Sequence, residues 1–238
     1  MAAEFVDWLV PRRGFDWLDV GCGTGALAGT VAARAAPRSV VGIDPSAAFV
    51  AHASRMVLGK FAVGDAQALP FRDGSFDAVV SGLVLNFVPD TGRGLAEMGR
   101  VSRTGGIVAA YVWDYAGEMQ LMRRFWDAAV ALDPHASEQD EGRRFAICSS
   151  GSLANAFSRA GLRDVAVRPI DVPTVFMDFD DYWTPFLGGQ APAPAYAMSL
   201  DEPARARLRE RLRASLPIAP DGSISLIARA WAVRGTVA

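Results

Sequence analysis

Short apolar runs alternate with segments of helical periodicity through the first half of the chain. The runs are rich in Val, Ile and Leu without polar alternation, which is typical of strands covered by helices on both faces. The strand pattern covers residues 16–20, 39–43, 60–63, 76–81 and 107–113, and the helical pattern covers 25–36, 46–58 and 90–101. The pair Gly105 and Gly106 predicts a turn before the fifth run. This alternation predicts an α/β fold with a largely parallel sheet.

The pattern is less regular in the second half. Residues 150–160 predict a helix, and residues 162–172 and 223–233 predict the sixth and seventh strands. We expect one domain over residues 1–238, with insertions at 114–146 and 173–222. Within them, residues 114–144 and 173–197 predict irregular structure rich in aromatic residues. Long loops in compact domains tend to be functional. Two interpretations remain open: the insertions form a lid over a ligand, or they only pack against the core.

A glycine-rich segment, DVGCGTG at residues 19–25, follows the first strand and precedes the first helical run. Glycines in such a turn let the backbone approach a ligand closely. Because Ala26 follows, the segment also satisfies the looser pattern of dinucleotide-binding proteins. Asp44 ends the second strand, where a carboxylate can accept hydrogen bonds from both hydroxyls of a ribose. Both features are common to nicotinamide and S-adenosylmethionine binders.

Two further segments distinguish these classes. They are GDAQALPF at residues 64–71 and SFDAVVS at residues 75–81, and dinucleotide oxidoreductases have no counterpart. Over about residues 16 to 113, the chain resembles class I S-adenosylmethionine-dependent methyltransferases of type 11, which include ubiquinone and menaquinone biosynthesis methyltransferases. The resemblance implies a Rossmann-like, mostly parallel sheet of seven strands with helices on both faces and an antiparallel last strand. It also implies methyl transfer from S-adenosyl-L-methionine, which leaves S-adenosyl-L-homocysteine.

The resemblance also assigns cofactor contacts. It places the glycine turn beside the methionine part with Asp19 near its amino group, Asp44 on the ribose and Asp65 on the adenine amino group. The complete set of expected cofactor-binding residues is Asp19, Gly21, Gly23, Thr24, Gly25, Asp44, Pro45, Asp65, Ala66 and Ser81.

The segment at residues 81–87 matches the family segment whose later polar residue faces the substrate. Here that residue is Asn86, where many relatives have His, and Asn cannot accept a proton at neutral pH. No catalytic base is therefore assigned. We expect Trp113, Tyr115 and Trp183 to contact the substrate together with Asn86. The aromatic insertions slightly favour a planar or apolar acceptor, and the acceptor atom stays open between carbon, oxygen and nitrogen.

The composition of the chain indicates which classes of ligand and partner to expect. The 24 basic residues nearly balance the 26 acidic ones, so no positive field attracts nucleic acid, and a small-molecule substrate is expected. The arginine-rich stretch at 205–213 is interpreted as a solvated helix face rather than a phosphate site. Two cysteines without ligand spacing predict no metal site. The absence of a secretory signal and of a long apolar run predicts a cytoplasmic protein without a membrane span. The oligomeric state is open.

Two alternatives to a methyltransferase remain at this stage. A non-catalytic S-adenosylmethionine-binding partner or sensor would bind the cofactor without turnover. A nicotinamide-dependent oxidoreductase would share the glycine turn and Asp44, although the segment around Asp65 argues against it.

Overall fold

Within residues 1–188 and 191–238, which the computed structural model describes, seven strands form one sheet. The strands are β1 (Asp16–Val20), β2 (Ser39–Asp44), β3 (Lys60–Val63), β4 (Phe76–Gly82), β5 (Ser102–Trp113), β6 (Arg163–Phe176) and β7 (Ile224–Thr236). Their order is β3-β2-β1-β4-β5-β7-β6. The neighbours from β3 to β5 are parallel. β7 is antiparallel to β6, so the predicted sheet is confirmed.

The glycine pair before the fifth predicted strand lies inside β5 rather than in a preceding turn. Gly105 has a φ of +74°, and its N–H donates to the Val237 carbonyl of the region after β7. The Val237 N–H donates in return to the Gly106 carbonyl. Pairing with this region therefore extends β5 toward its amino end, where the residues preceding 107 carry no apolar pattern.

Ten α-helices accompany the sheet in the described residues. They are α1 (Ala2–Trp8), α2 (Ala26–Arg34), α3 (Ala47–Met56), α4 (Thr91–Val101), α5 (Gln120–Leu132), α6 (Glu141–Arg144), α7 (Ser150–Arg159), α8 (Phe179–Trp183), α9 (Pro192–Ser199) and α10 (Glu202–Ser215). Side chains cap several of them: Ser46 accepts from Phe49 N–H and Asp90 from Arg93 N–H. None of the helices that the structure describes is long and apolar enough to cross a bilayer.

The prediction of irregular structure at 114–144 and 173–197 was wrong in part, because these stretches contain helices. α5 and α6 lie in the first, and α8 and most of α9 lie in the second. The start of α5 has no side-chain cap at Met119, so the usual sequence signal for a helix start is missing. The helix is nevertheless amphipathic, and Phe125 and Trp126 on its apolar face are fully buried.

Contacts divide the chain into two compact units. Unit 1 comprises residues 1–112, 149–170 and 231–238, and unit 2 comprises 113–148 and 171–230. The two predicted insertions, 114–146 and 173–222, fall within unit 2. In unit 1, buried side chains such as Trp17, Val79 and Leu95 form the core around the central strands. A lid role for unit 2 stays a prediction.

Unit 2 has an aromatic core of its own. The Phe125 and Phe186 rings stack with centroids 4.5 Å apart, and the Tyr182 hydroxyl donates to the Leu121 carbonyl. A partly buried ion pair joins Arg123 to both Asp140 oxygens at 3.1 and 2.8 Å. Aromatic stacking and this ion pair, which neutralises the buried Asp140 carboxylate, both hold segments of unit 2 together.

The arginine-rich stretch forms α10, and several of its arginines make contacts within unit 2. Arg209 and Arg213 stack on the Phe179 ring at 5.2 and 4.1 Å. Arg205 donates to the carbonyls of Ala197 and Leu200. These three guanidinium groups are engaged in packing, which gives them a structural role.

Candidate functional site

A cavity of about 310 Å³ opens in unit 1 at the carboxyl ends of the first three strands. Five predicted cofactor residues line it: Gly21, Asp44, Pro45, Asp65 and Ala66. Because the carboxyl ends of parallel strands meet at one edge of the sheet, ligands of open α/β folds bind there. Residues that are far apart in sequence are thus brought together, as predicted from their positions after consecutive strands.

Asp44, the last residue of β2, is held in a fixed orientation. One carboxylate oxygen accepts from the Gly23 N–H and the other from the Ser46 N–H, both at 2.9 Å. The residue is 7% exposed and lines the cavity. Each oxygen keeps a lone pair for a further donor. Asp44 therefore joins the glycine turn to the start of α3 and offers two acceptors to a ligand that carries adjacent hydroxyls.

The glycine turn between β1 and α2 places backbone where side chains would not fit. Gly21 has a φ of +74°, and a Cβ added there would lie 2.4 Å from a methyl carbon of Val84. Gly23 and Gly25 also have positive φ, and Thr24 is exposed on the same turn. Only glycine adopts such conformations without cost. The turn therefore presents bare backbone at the cavity edge.

Asp65 follows β3 and lines the same cavity. Its carboxylate accepts from the Gln67 backbone N–H at 2.8 Å. This hydrogen bond, followed by one from the Gln67 side chain, lowers the pKa of Asp65 below its usual value. The carboxylate is thus ionised at neutral pH and keeps acceptor capacity. Ala66 lies beside it on the cavity wall.

The rest of the cavity wall is apolar, and sequence reasoning did not identify it. Phe49 of α3 and Phe87, Val88 and Pro89 after β4 line it, and Phe49 and Phe87 remain half or more exposed. Exposed aromatic side chains at a concave surface suit a flat, apolar ligand group. No motif marked these residues, because apolar residues in a helix or a loop are usually interpreted as core.

Asp19 of β1 is a buried carboxyl group with one unsatisfied oxygen. It is 1% exposed; one oxygen accepts from the Ala28 N–H at 3.0 Å and the other has no partner in the described part of the chain. Burial raises the pKa of Asp19 to about 7, although the Ala28 hydrogen bond opposes the rise. A buried carboxylate with an unused acceptor next to a glycine turn is suited to a cationic ligand group.

Two other expected residues also carry unpartnered polar atoms. Ser81, near the end of β4, is buried, and its hydroxyl has no partner among residues 1–188 and 191–238. Asn86 lies in the 3₁₀ turn Leu85–Phe87, and its side-chain nitrogen is likewise buried without an acceptor there. Such groups cost free energy unless a ligand or water satisfies them. Their roles toward cofactor and substrate stay predictions.

The other three expected substrate residues lie in unit 2. Trp113 is partly buried at the end of β5. The Tyr115 ring packs on Phe145, with centroids 5.8 Å apart. Trp183 is 5% exposed and belongs to the aromatic core of unit 2. Packing alone accounts for the burial of Trp183, and its contact with a substrate stays a prediction.

Known proteins are similar to the part of the chain that lines the cavity. A family model described as a methyltransferase domain matches residues 18–110. Over 172 residues, the chain is 33% identical to 2-methyl-6-phytyl-1,4-hydroquinone methyltransferase of Synechocystis, covering 70% of this chain. The chain spans about half of that relative, 52% of its length. It is 39% identical to demethylmenaquinone methyltransferase of Roseiflexus castenholzii, covering 63% of this chain and 69% of the relative.

The chain belongs to the class I S-adenosylmethionine-dependent methyltransferases. A solved structure agrees in fold, that of phosphoethanolamine N-methyltransferase 2 from Haemonchus contortus in complex with S-adenosyl-L-methionine. It matches with a TM-score of 0.61 at 17% identity, covering 100% of this chain and 52% of that one. Family membership argues against the nicotinamide-dependent alternative.

The residues present in this chain fit the cofactor of the family. The glycine turn leaves a cradle that a Cβ at Gly21 would fill, the unpartnered oxygen of Asp19 can accept from an ammonium group, and Asp44 offers two oriented acceptors. An amino acid joined to an adenosine has the matching groups in the same order. The fit rests on the chemistry of these donors and acceptors.

We expect Gly21→Ala to lower both stability and cofactor affinity. The new Cβ would meet Val84 at a φ that disfavours Ala, so the free energy of unfolding should fall by about 1–3 kcal/mol. Thermal unfolding with and without S-adenosylhomocysteine measures both effects. Gly105→Ala is the matched control, because Gly105 has the same φ of +74° and no atom within 4 Å of an added Cβ. Equal effects of the two changes on ligand affinity would contradict the assignment.

Proposed function

We propose that the chain transfers the methyl group of S-adenosylmethionine to a small-molecule acceptor by direct in-line displacement. The observation that carries the proposal is the pair of carboxylates beside the glycine turn. Asp44 is fixed at the cavity wall by two backbone N–H groups, and Asp19 is buried with one oxygen unpartnered. Together they match a ligand that carries a ribose and, farther along the molecule, an ammonium group.

In this proposal each of the three carboxylates, two on the cavity wall and Asp19 beside the glycine turn, has one task. Asp44 accepts hydrogen bonds from the ribose hydroxyls, and Asp65 accepts one from the adenine amino group. Asp19 accepts from the α-ammonium group of the methionine part. The apolar wall that includes Phe49 and Phe87 covers the adenine faces, because flat aromatic surfaces gain from burial against each other.

The bound cofactor supplies an electrophilic methyl group on a sulfonium. Held by Asp19, Asp44 and Asp65, the cofactor would give this methyl group to an acceptor aligned behind it, and the electron pair of the carbon–sulfur bond would stay on sulfur. The chain's contribution is to align the acceptor and to exclude water, which can provide most of the catalysis without a covalent intermediate. Asn86 can donate a hydrogen bond to the acceptor but cannot remove its proton, so it is a positioning residue in this scheme.

A planar, apolar ring is the acceptor class that we favour. The Synechocystis relative is named for a hydroquinone and the Roseiflexus relative for demethylmenaquinone. The aromatic residues of the predicted insertions are compatible with such a ring. The near balance of charges in the chain gives no general attraction for nucleic acid.

Isothermal titration of the purified chain with S-adenosylmethionine, S-adenosylhomocysteine and NADH tests the proposal. We expect micromolar binding of the two sulfur ligands and none of NADH. Turnover is then measured as S-adenosylhomocysteine released in the presence of quinol acceptors. Binding without turnover on any acceptor would favour the alternative of a non-catalytic partner or sensor. Binding of NADH alone, or of no ligand, would contradict the proposal.

A further inference from the structure

Tyr111 is a buried tyrosine on β5 whose side chain reaches over β4. It is 6% exposed and pairs with Gly82 in the parallel register of the two strands. A Cβ added at Gly82 would lie 2.7 Å from the Tyr111 hydroxyl oxygen and 2.8 Å from the ring carbon that bears it. The missing side chain of Gly82 therefore leaves the space that the tip of Tyr111 occupies.

The strand register places Tyr111 and Asp19 on the same face of the sheet. Asp19 pairs with Val80, and Val80 pairs with Ala109. Residues two apart along a strand share a face, so Gly82 and Tyr111 lie on this face as well. The Tyr111 ring thus extends across β4 in the direction of β1, where Asp19 is located. The negative charge of Asp19 adds to burial in raising the pKa of Tyr111.

In the described part of the chain, the Tyr111 hydroxyl and one Asp19 oxygen have no hydrogen-bond partner. One Asp19 oxygen is buried without a donor, and within residues 1–188 and 191–238 no hydrogen bond reaches the Tyr111 hydroxyl. Phe5 of α1 packs on the Tyr111 ring, with centroids 4.8 Å apart, and restricts its rotation. The buried, unsatisfied Asp19 oxygen costs free energy, which a ligand donor recovers, and the Tyr111 hydroxyl on the same face is an unused donor for such a ligand.

We infer that Tyr111 binds the amino-acid end of the cofactor, with its hydroxyl donating a hydrogen bond to the α-carboxylate while Asp19 accepts from the α-ammonium. This inference rests on the proposed function and adds a residue to it. A ligand carboxylate near Asp19 would be repelled unless a donor neutralised it, and the Tyr111 O–H supplies that donor. Tyr111 thereby selects ligands with a complete amino-acid group.

Titration of Tyr111→Phe with three ligands tests this role. The ligands are S-adenosylmethionine, its decarboxylated form and 5′-methylthioadenosine, which lacks the whole amino-acid end. We expect about tenfold weaker binding of S-adenosylmethionine, as for the loss of one hydrogen bond to a charged group. The decarboxylated form and 5′-methylthioadenosine should bind as they do to the unaltered chain.

A second variant keeps the Tyr111 hydroxyl but moves it away from its position over β4. In Gly82→Ala the new Cβ displaces the Tyr111 tip, so we expect the same selective loss for S-adenosylmethionine. Tyr182→Phe is the control, because it removes a tyrosine hydroxyl in the aromatic core of unit 2. It should leave the affinities for all three ligands unchanged.

Three results would overturn the inference for Tyr111 alone. They are unchanged affinity in Tyr111→Phe, an equal loss for all three ligands, which indicates a structural role, and an equal loss for the decarboxylated form, which indicates contact with the ammonium group. An unaltered chain that binds none of the three ligands would instead overturn the proposed function, and this inference with it.

Discussion

Asp19→Asn should make the ligand-free chain more stable at pH 8 and weaken its binding of S-adenosylmethionine. Burial raises the pKa of Asp19 from 3.8 to about 7, so the folded chain keeps a proton that the unfolded chain releases near pH 4. The contribution of Asp19 to the free energy of unfolding therefore falls as the pH rises from about 4 to 7 and stays low above that. Asn carries no charge and avoids this loss.

The expected gain in melting temperature is about 3 °C at pH 8, the shift that about 1 kcal/mol produces in a chain of this size. At pH 4 the two melting temperatures should differ least. Ligand affinity should change in the opposite direction, falling at least about tenfold, because the acceptor for the ammonium group loses its charge. Melting curves across pH and titration with S-adenosylhomocysteine provide both measurements.

Asp73→Asn is the control for this experiment. Asp73 has an 80% exposed side chain and pairs with Arg100 away from the cavity. Its replacement should therefore leave ligand affinity unchanged and should not raise the melting temperature at pH 8. If Asp19→Asn is less stable than the unaltered chain at pH 8, the buried carboxylate is not the destabilising group. If affinity is unchanged, Asp19 does not contact the cofactor.

Asp44→Ala should reduce affinity for S-adenosylmethionine and S-adenosylhomocysteine by about a hundredfold or more. The change removes both oriented acceptors for the ribose, and each hydrogen bond to a charged group contributes about 1.5–3 kcal/mol. It also frees the Gly23 and Ser46 N–H groups that the carboxylate holds. The glycine turn should then lose order as well.

Titration distinguishes these two contributions if Asp44→Asn is measured beside Asp44→Ala. Asn keeps one acceptor oxygen but places an amide donor against a backbone N–H, so we expect an intermediate affinity. Unchanged binding in both variants would exclude Asp44 from the ribose site. A loss of affinity in Asp44→Ala that melting curves explain entirely by unfolding would also contradict the direct contact.

The central sheet and the cavity could be predicted because their determinants are local in sequence. Each strand from β1 to β4 is a short apolar run, and the residue types that follow the strands, Gly21, Asp44 and Asp65, have conformational or hydrogen-bonding reasons to be there. Parallel pairing then brings these positions to one edge. The antiparallel last strand was implied by the resemblance to the methyltransferase family rather than by local pattern, and the structure confirms it.

The features that were missed depend on contacts between distant segments. α5 was not predicted because its start has no capping side chain, and its stability comes from burying Phe125 and Trp126 against other parts of unit 2. The apolar cavity wall joins Phe49 to Phe87, which no local pattern connects. Tyr111 looked like an ordinary strand residue, since only the register with Gly82 shows where its hydroxyl lies.

The strand order has a consequence for how the chain acquires its structure during synthesis. β6 leaves the ribosome before β7, yet β7 lies between β5 and β6 in the sheet. Until β7 is made, β5 is an open edge of the sheet. β6 also lacks β7, the strand that it pairs with in the complete sheet. Pairing over such sequence separations is slow, and open edges invite aggregation. Chaperone demand should therefore be greatest for nascent chains that end between β6 and β7.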